Sequence, residues 1–370
     1  MKILITGAGG FIGKNLCAHL RNLGYTDLLE YTRETDRGLL EEFTKDCAFV
    51  FHLAGVNRPG TPAEFEENHV FTSELLQCLK EHENRAPVLM TSSAQAACDN
   101  PYGVSKRKAE ILLRNYSEET GADVYIYRLP GVFGKWCRPN YNSVVATFCS
   151  AAANDLPLTV NDPEAGIELA YIDDVVEEFT RALRGGVKKA GNFCVLDKTY
   201  TIKVGALKDR ILSFREESCR LFVPDMCDPL TSKLYSTYLS YLPEDNFSYP
   251  LTVHADNRGF FAEFLKSAGG GQVAVNLIKP GIVKGNHWHH SKTEKMLVVS
   301  GTGHILFRRL DDESLTVYQV SGENPTVIDV PPGYVHAVMN TGVVDLIMVI
   351  WANQIFDPQN PDTFKAGIDE

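Results

Sequence analysis

Residues 2–13 read KILITGAGGFIG, and this stretch decides the fold of the first two thirds of the chain. Its apolar start predicts a buried parallel strand, and residues 14–22 predict the helix that follows. Glycine lets the backbone approach a pyrophosphate, and the amide groups at the start of the helix face its negative charge. The stretch therefore predicts a dinucleotide-binding turn. The cofactor contacts expected in it are Gly7, Gly10, Phe11, Ile12 and Gly13.

The end of the second predicted strand, residues 27–31, is where a dinucleotide-binding domain distinguishes its cofactors. An acidic residue there would hold the ribose 2′-hydroxyl, but this chain supplies Thr32 and Arg33, with Arg37 nearby. A guanidinium suits a 2′-phosphate. We therefore expect NADPH as the cofactor. The alternative is that these arginines belong to an ordinary solvated loop.

Tyr102 and Lys106 are four residues apart, which puts them on one face of a helix. The ammonium can depress the pKa of the phenol, and Tyr102 can then protonate an alkoxide. The pair follows an apolar strand at residues 88–90 that ends in TSS at 91–93. This order predicts a reductase site and not a chance pair on a surface helix.

The first part of the chain resembles the extended short-chain dehydrogenase/reductase family. The resemblance is carried by the GxxGxxG spacing of the glycine turn, by AFVFHLAG at residues 48–55 and by YGVSK at residues 102–106. It covers about residues 1–245. The residues that it further implies against the cofactor are Leu53, Ala54 and Gly55.

The same resemblance assigns roles at the reductase site. It implies that Lys106 also holds the nicotinamide ribose, and that a serine at the strand end hydrogen-bonds the substrate carbonyl. Ser93 is the expected serine and Ser92 is its competitor. Ser93 and Tyr102 stand only nine positions apart, whereas many family members have a longer loop there.

Two consecutive segments are candidates for substrate recognition. VYIYRLPGVFG at residues 124–134 resembles the strand and loop that begin substrate recognition in nucleotide-sugar members of the family. KWCRPNYN at residues 135–142 mixes cations, amides and aromatics, which could pair with a diphosphate and stack on a base. An ordinary surface loop fits this pattern nearly as well. The substrate contacts expected are Arg128, Arg138 and Asn142.

The sequence pattern changes near residue 245, where helical stretches give way to short alternating strands separated by Gly and Pro. This predicts a small β-barrel. Residues 281–301 and 331–340 resemble the two motifs of the cupin family. The expected fold is an α/β Rossmann-type domain at residues 1–245, followed by an all-β cupin domain, a jelly-roll barrel, at residues 246–370.

The cupin motifs hold the candidate metal ligands. Side chains alternate along a strand, so His287 and His289 point into the barrel while Trp288 points away. Three imidazoles and a carboxylate suit zinc, iron, nickel or manganese, and zinc is the first expectation. The expected ligands are His287, His289, Glu294 and His336. His290 would replace His289 if the strand bulges.

A further resemblance concerns a catalytic base. Residues 256–263, DNRGFFAE, resemble a strand of epimerases that act on 4-ketones of nucleotide-bound deoxy sugars. In those enzymes the histidine of a Gly-x-His step is the base, which would give His287 that role. The joint spacing of the four ligands favours metal binding instead. The base therefore stays open among His290, Lys292 and His287, with His290 considered first.

The composition argues against several other function classes. A formal net charge of -11 argues against nucleic acid as a partner, because phosphate-backbone binding relies on clustered Lys and Arg. Nine cysteines without a CxxC pair predict reduced thiols in a cytoplasm. Gly7 interrupts the apolar start too early for a signal peptide, and no run of about 18 apolar residues offers a membrane span.

One substrate group accounts for both domains. A 4-keto group acidifies the hydrogens on its neighbouring carbons, which permits epimerisation, and it can then be reduced with Tyr102 as the proton donor. As a whole, the chain resembles bifunctional enzymes of capsular-polysaccharide synthesis. This implies C3 epimerisation of a UDP-linked 2-acetamido-2,6-dideoxy-4-hexulose. It also implies reduction at C4 by NADPH to an L-talose-type sugar on the route to N-acetyl-L-fucosamine, and a homodimer.

Two other functions stay open. One is a reductase whose cupin serves only as a structural or dimerisation module. The other is a non-catalytic regulator that senses a dinucleotide, against which Tyr102 and Lys106 argue.

Overall fold

The computed structural model describes residues 1–312 and 314–369, which form two compact units. The first unit comprises Met1–Ile211 and Lys233–Leu242, and the second comprises Leu212–Ser232 and Pro243–Glu370. The boundary expected at residue 245 assigns residues 212–232 to the first domain, whereas these residues group with the second unit.

The helices of the described residues are α1 (Phe11–Asn22), α2 (Gly38–Asp46), α3 (Glu67–Glu81), α4 (Pro101–Thr120), α5 (Val144–Ala153), α6 (Ile172–Leu183), α7 (Val204–Cys219) and α8 (Pro229–Leu239). Within the part of the chain that the structure describes, none of them is long and apolar enough to cross a membrane.

The strands up to residue 223 are β1 (Ile3–Thr6), β2 (Leu28–Tyr31), β3 (Phe49–His52), β4 (Val88–Ser93), β5 (Val124–Leu129), β6 (Gly131–Phe133), β7 (Gly166–Tyr171), β8 (Lys189–Ala190), β9 (Phe193–Cys194), β10 (Tyr200–Lys203) and β11 (Phe222–Val223). The later strands are β12 (His254–Asp256), β13 (Gly259–Ser267), β14 (Gly271–Ile278), β15 (Val283–Trp288), β16 (Glu294–Ser300), β17 (Thr302–Arg309), β18 (Leu315–Ser321), β19 (Val327–Val330), β20 (Tyr334–Asn340), β21 (Leu346–Ala352) and β22 (Phe364–Lys365).

The main sheet of the first unit has the strand order β2-β1-β3-β4-β5-β9-β8. The pairs from β2 through β5 are parallel. Because β2 and β3 lie on opposite sides of β1, the winding reverses there and opens a crevice at the carboxyl ends of β1 and β3. The glycine turn follows β1, and residues 53–55 follow β3, so both lie at this crevice. A small sheet, β10-β7-β6, completes the unit.

The alternating side chains of β1 enter two different cores. Ile3 and Ile5 pack with α1 and α6 on one face of the sheet, and Leu4 packs with α2, α3 and α4 on the other. Helices on both faces of a parallel sheet are the α/β arrangement that the glycine turn predicts.

The second unit contains two sheets. A seven-stranded sheet has the order β11-β13-β14-β21-β16-β19, with β12 paired to β13, and a five-stranded sheet has the order β18-β17-β20-β15-β22. Their common core joins Met296 and Met348 of the first sheet to Ile305 and Val338 of the second. The predicted fold class, a Rossmann-type α/β domain followed by an all-β domain, is confirmed.

Candidate functional site

The glycine-rich turn between β1 and α1 packs its backbone against the loop after β3. Gly7 has a φ of +73°, and a Cβ on it would lie 2.7 Å from the backbone nitrogen of Ala54. A Cβ on Gly13 would lie 2.3 Å from the carbonyl oxygen of Gly7, so neither position admits a side chain. Gly10, the N-cap of α1, has no side chain to cap the first amides. The amide groups that begin at Phe11 are therefore available to a pyrophosphate.

These features fit a dinucleotide. The predicted cofactor contacts found at this edge of the sheet are Gly7, Gly10, Phe11, Ile12, Gly13, Leu53, Ala54 and Gly55.

The residues predicted to select NADPH follow β2. A Cβ on Gly9 would lie 3.5 Å from Cγ2 of Thr32, so Thr32 borders the glycine turn. Arg33 and Arg37 are exposed, and Arg37 lies 3.7 Å from Glu74. The structure brings Thr32 to the turn and leaves both arginines at the surface at the same end of β2. The preference for NADPH stays a prediction.

Ser93 and Tyr102 are joined by a short, well-packed connection. Ser93 ends β4 and accepts a hydrogen bond from the backbone N–H of Gln95 at 3.2 Å. Asn100 caps α4 by accepting a hydrogen bond from the N–H of Gly103 at 2.8 Å. A Cβ on Gly103 would lie 2.2 Å from the carbonyl oxygen of Gln95, so the connection packs directly on the helix.

The Tyr102 phenol lies beside Ser93 and the ring of Phe65, whose centre is 5.8 Å away. Burial raises the pKa of Tyr102, a hydrogen bond with Ser93 opposes that rise, and Tyr141 adds to it. The Lys106 ammonium was expected to depress this pKa, but the pKa is raised, because burial outweighs the hydrogen bond with Ser93. A raised pKa keeps Tyr102 protonated, as a proton donor must be.

Lys106 is buried on the same helix, and its Nζ donates a hydrogen bond to the carbonyl oxygen of Thr91 at 3.2 Å. Burial lowers the pKa of Lys106 to about 8, and the Glu110 carboxylate opposes this effect. A Cβ on Gly55 would lie 2.8 Å from Nζ. The ammonium thus reaches the loop after β3, where the predicted cofactor contacts lie.

Arg128 has a structural partner. Its guanidinium donates two hydrogen bonds to Glu110, at 2.9 and 2.7 Å, and lies 4.0 Å from the centre of the Phe193 ring. The expected substrate contact of Arg128 is corrected on this ground, because its charge neutralises the fully buried Glu110 carboxylate. Ser92 donates to the same carboxylate at 2.5 Å, which leaves Ser93 as the serine beside the phenol.

Arg138 and Asn142 lie exposed in the loop after β6. The guanidinium of Arg138 is 5.5 Å from the centre of the Tyr141 ring. Because Tyr141 raises the pKa of Tyr102, this loop approaches the reductase site. Tyr141 is a site residue that the sequence analysis did not identify, because no motif distinguishes it from the neighbouring residues of the loop.

The three predicted imidazole ligands meet in the second unit. The ring centre of His287 lies 5.0 Å from that of His289 and 4.4 Å from that of His336, and the last two are 5.2 Å apart. The carboxylate of Glu294 faces the same point, because its oxygens lie 3.6 Å from Nε2 of His289 and 3.6 Å from Nε2 of His336.

The donor atoms of this cluster fit a metal ion. Nδ1 of His289 lies 2.5 Å from the carbonyl oxygen of Asp362 and must carry the proton, since a carbonyl only accepts. Nε2 of His289 and Nε2 of His336 are buried without a hydrogen-bond partner among the described residues. Burial alone would raise the pKa of Glu294, but the two histidines hold it well below its usual value. Such a set suits a divalent transition metal.

His290, the first candidate for the base, lies outside this cluster. Its ring contacts Trp288 and Phe364, with centres 4.4 and 4.8 Å away. Lys292 is also directed elsewhere, because its Nζ donates to the carbonyl oxygen of Pro361 at 2.7 Å and to Thr363 at 3.1 Å. The structure brings neither residue to the cavity beside the histidines.

That cavity has a volume of about 590 Å³. Three of the cluster residues, His287, Glu294 and His336, line it. Its other polar lining residues are His254, Asp256, Arg258, Gln272, Asn276 and Lys284. Sequence reasoning missed Lys284 as a site residue, because no motif includes it.

Both units are also found in a solved capsular-polysaccharide protein. The crystal structure of the capsular polysaccharide assembling protein CapF from Staphylococcus aureus matches with a TM-score of 0.94 at 44% identity, covering 99% of this chain and 100% of that one. This chain belongs to the CapF family. A curated relative from Pseudomonas aeruginosa is 44% identical over 371 residues, which is 100% of both chains. That relative is a UDP-2-acetamido-2,6-beta-L-arabino-hexul-4-ose reductase.

Two family matches divide this CapF-family chain. Residues 3–194 match the NAD dependent epimerase/dehydratase family, and residues 254–364 match the polysaccharide biosynthesis C-terminal domain. The first match contains the glycine turn and the Tyr102 site, and the second contains the histidine cluster. Membership supports a nicotinamide cofactor and oxidoreductase chemistry for CapF-family chains such as this one.

Proposed function

We propose that the chain is a bifunctional nucleotide-sugar enzyme of capsular-polysaccharide synthesis. Its first unit reduces the C4 ketone of a UDP-linked 2-acetamido-2,6-dideoxy-4-hexulose with NADPH, and its second unit, a cupin, epimerises that sugar at C3. The observation that carries the proposal is the contact of Ser93 with a protonated Tyr102 at the dinucleotide crevice. The substrate named for the Pseudomonas aeruginosa relative supports the choice of sugar. A cytoplasmic location and a homodimer complete the proposal.

In the reductase site, Ser93 donates a hydrogen bond to the ketone oxygen, and Tyr102 gives that oxygen its proton as the alkoxide forms. When bound, NADPH would supply the hydride to C4. Lys106 would hold the nicotinamide ribose and place positive charge near the developing alkoxide. The exposed Arg33 and Arg37 would meet the 2′-phosphate at the end of β2.

In the cupin, the residues that would hold a divalent metal are His287, His289, Glu294 and His336. When bound, the metal would polarise the substrate ketone and favour the enolate. The cavity of about 590 Å³ beside these residues is within the usual range for a small-molecule site. The C3 hydrogen is acidified by the neighbouring ketone, and its exchange with solvent protons permits inversion.

The decisive experiment follows NADPH consumption with a UDP-linked 4-keto-6-deoxy-HexNAc in deuterated water, and locates the label by NMR. Deuterium at C3 together with a reduced C4 supports both activities. Reduction without label removes the epimerase role of the cupin. Tyr102→Phe is the matched variant, because it should slow reduction by about 100-fold or more and leave the exchange at C3 intact.

A purely structural metal is the second candidate for the cupin. It is favoured by the number of candidate ligands, because four protein groups would fill a tetrahedral coordination shell, as structural zinc sites do, and leave no open position. Chelation distinguishes the two functions. A structural metal predicts that stability falls while the full conversion continues in the surviving protein, whereas a catalytic metal predicts that C3 exchange is lost first.

A further inference from the structure

The strand β15 contains a bulge beside the histidine cluster. Its pairing with β20 shifts register between Gly285 and His287, and Asn286 has a φ of +57°. In a regular strand, residues 284 and 287 would face opposite sides. The extra residue of a bulge reverses that alternation. Lys284 and His287 consequently line the same cavity.

The ammonium of Lys284 is held by neutral oxygens. Its Nζ donates to the carbonyl oxygen of Leu277 at 3.0 Å, to Oδ1 of Asn276 at 3.1 Å and to the carbonyl oxygen of Phe260 at 3.4 Å. The ammonium can donate to all three oxygens, and the neutral amine can still donate to the two nearer ones, of Leu277 and Asn276. Lys284 is half-buried, and a partly desolvated lysine in a cavity is a recurring form of acid–base residue.

The charges that act on this amine come from one neighbouring turn. Burial lowers the pKa of Lys284, the Asp256 carboxylate opposes that effect and the Arg258 guanidinium adds to it. Asp256 is itself paired with Arg258 through two hydrogen bonds, at 3.0 and 2.7 Å. Its influence on Lys284 is therefore largely neutralised, and burial remains the dominant effect.

The other candidates for proton transfer are engaged elsewhere. His290 packs with Trp288, and Lys292 binds the carbonyl oxygen of Pro361. His287 belongs to the proposed ligand set. Among the described lining residues, the amine and imidazole groups outside that set are Lys284 and His254, and His254 is exposed.

We propose that Lys284 is the residue that transfers the proton on one face of the carbon next to the substrate ketone. This rests on the proposed epimerase function of the cupin. The neutral amine takes the C3 proton, the C–H electron pair forms the C3–C4 double bond, and the carbonyl pair moves to the oxygen. A proton from water adds to the opposite face of C3 as the ketone reforms, and Lys284 returns its proton to water.

The test measures deuterium entry at C3 in deuterated water without NADPH, so that reduction does not consume the ketone. Lys284→Met and Lys284→Arg should each slow the exchange by about 100-fold or more, because general acid–base catalysis contributes about 10²- to 10⁴-fold. Lys279→Met is the matched control, since Lys279 is exposed and outside the cavity, and it should exchange at the wild-type rate. Metal content and NADPH binding show that each variant is folded.

The outcomes separate the two proposals. If the wild type exchanges no deuterium, the epimerase function itself fails. If the wild type exchanges and Lys284→Met exchanges equally fast, only the role of Lys284 fails. Rapid exchange by Lys284→Arg would also overturn it, because arginine retains the positive charge but does not give up its proton. Loss of metal from both Lys284 variants would assign Lys284 to the support of the metal site instead.

Discussion

Replacing Asp362 by alanine should weaken metal binding in the second unit, although Asp362 is not a proposed ligand. Its carboxylate accepts hydrogen bonds from the backbone N–H groups of His290, Ser291 and Lys292 at 2.9, 2.9 and 2.8 Å. Its own carbonyl accepts the proton of His289 Nδ1 at 2.5 Å. Asp362 therefore holds the segment that carries His289 and selects the tautomer whose Nε2 faces the cluster.

The expected effect is a loss of affinity of about 10- to 100-fold, the range found when outer-shell partners of metal ligands are removed. This corresponds to about 1.4–2.8 kcal/mol of binding free energy. The carbonyl that contacts His289 survives in the variant, but its position is no longer fixed by the carboxylate. Asp362 has a φ of +42°, a conformation that is strained for a residue other than glycine. Without these hydrogen bonds, we expect residue 362 to leave this conformation.

The assay is zinc competition against a chromophoric chelator, with the wild type, Asp362→Ala and Asp357→Ala compared at equal protein concentration. Asp357 is the matched control because it is exposed in the same C-terminal segment and caps only its own turn, by accepting the N–H of Gln359 at 2.9 Å. The reasoning is refuted if Asp362→Ala binds zinc as tightly as Asp357→Ala does, with the same stoichiometry.

Three further outcomes are expected. Tyr102→Phe should lower the rate of ketone reduction by about 100-fold or more, and normal turnover by this variant would exclude Tyr102 as the proton donor. The double variant Arg33→Ala with Arg37→Ala should reduce kcat/KM for NADPH by about 10- to 100-fold and leave kcat/KM for NADH unchanged. An equal loss of kcat/KM with both cofactors would contradict recognition of the 2′-phosphate. Glu110→Ala should lower the free energy of unfolding by about 3 kcal/mol, because it breaks the buried ion pair with Arg128. An unchanged midpoint of urea denaturation would contradict this structural role of Glu110.

The first unit could be predicted from short local patterns. The glycine turn follows an apolar strand and opens a helix, and this context predicts both the parallel sheet and a crevice at its edge. The burial of β1 between two cores follows from its continuous apolar character. The grouping of residues 212–232 with the second unit could not be predicted in this way, since it depends on contacts that no local pattern records.

The candidate sites were predictable where the spacing of residues determines their geometry. His287 and His289 alternate on one strand end, so their approach to His336 follows from the cupin motifs. Lys284 could not be assigned, because the bulge at Asn286 breaks the two-residue period on which such an assignment relies. The contact of Asp362 with His289 could not be predicted either, because the two residues lie far apart along the chain. The pairing of Arg128 with Glu110 could not be predicted from the sequence, because it depends on how α4 packs on the sheet.

The short connection between Ser93 and Tyr102 has a consequence for how the proposed reductase would select its substrates. Its ends are held by two caps and by the contact of Gly103 with Gln95, so the proposed proton donor, Tyr102, and the proposed carbonyl-binding residue, Ser93, are positioned without a ligand. The free energy of substrate binding is then not reduced by the entropic cost of ordering this segment. If the chain acts as the proposed reductase, we expect discrimination between sugars to come from the exposed loop that carries Arg138 and Tyr141.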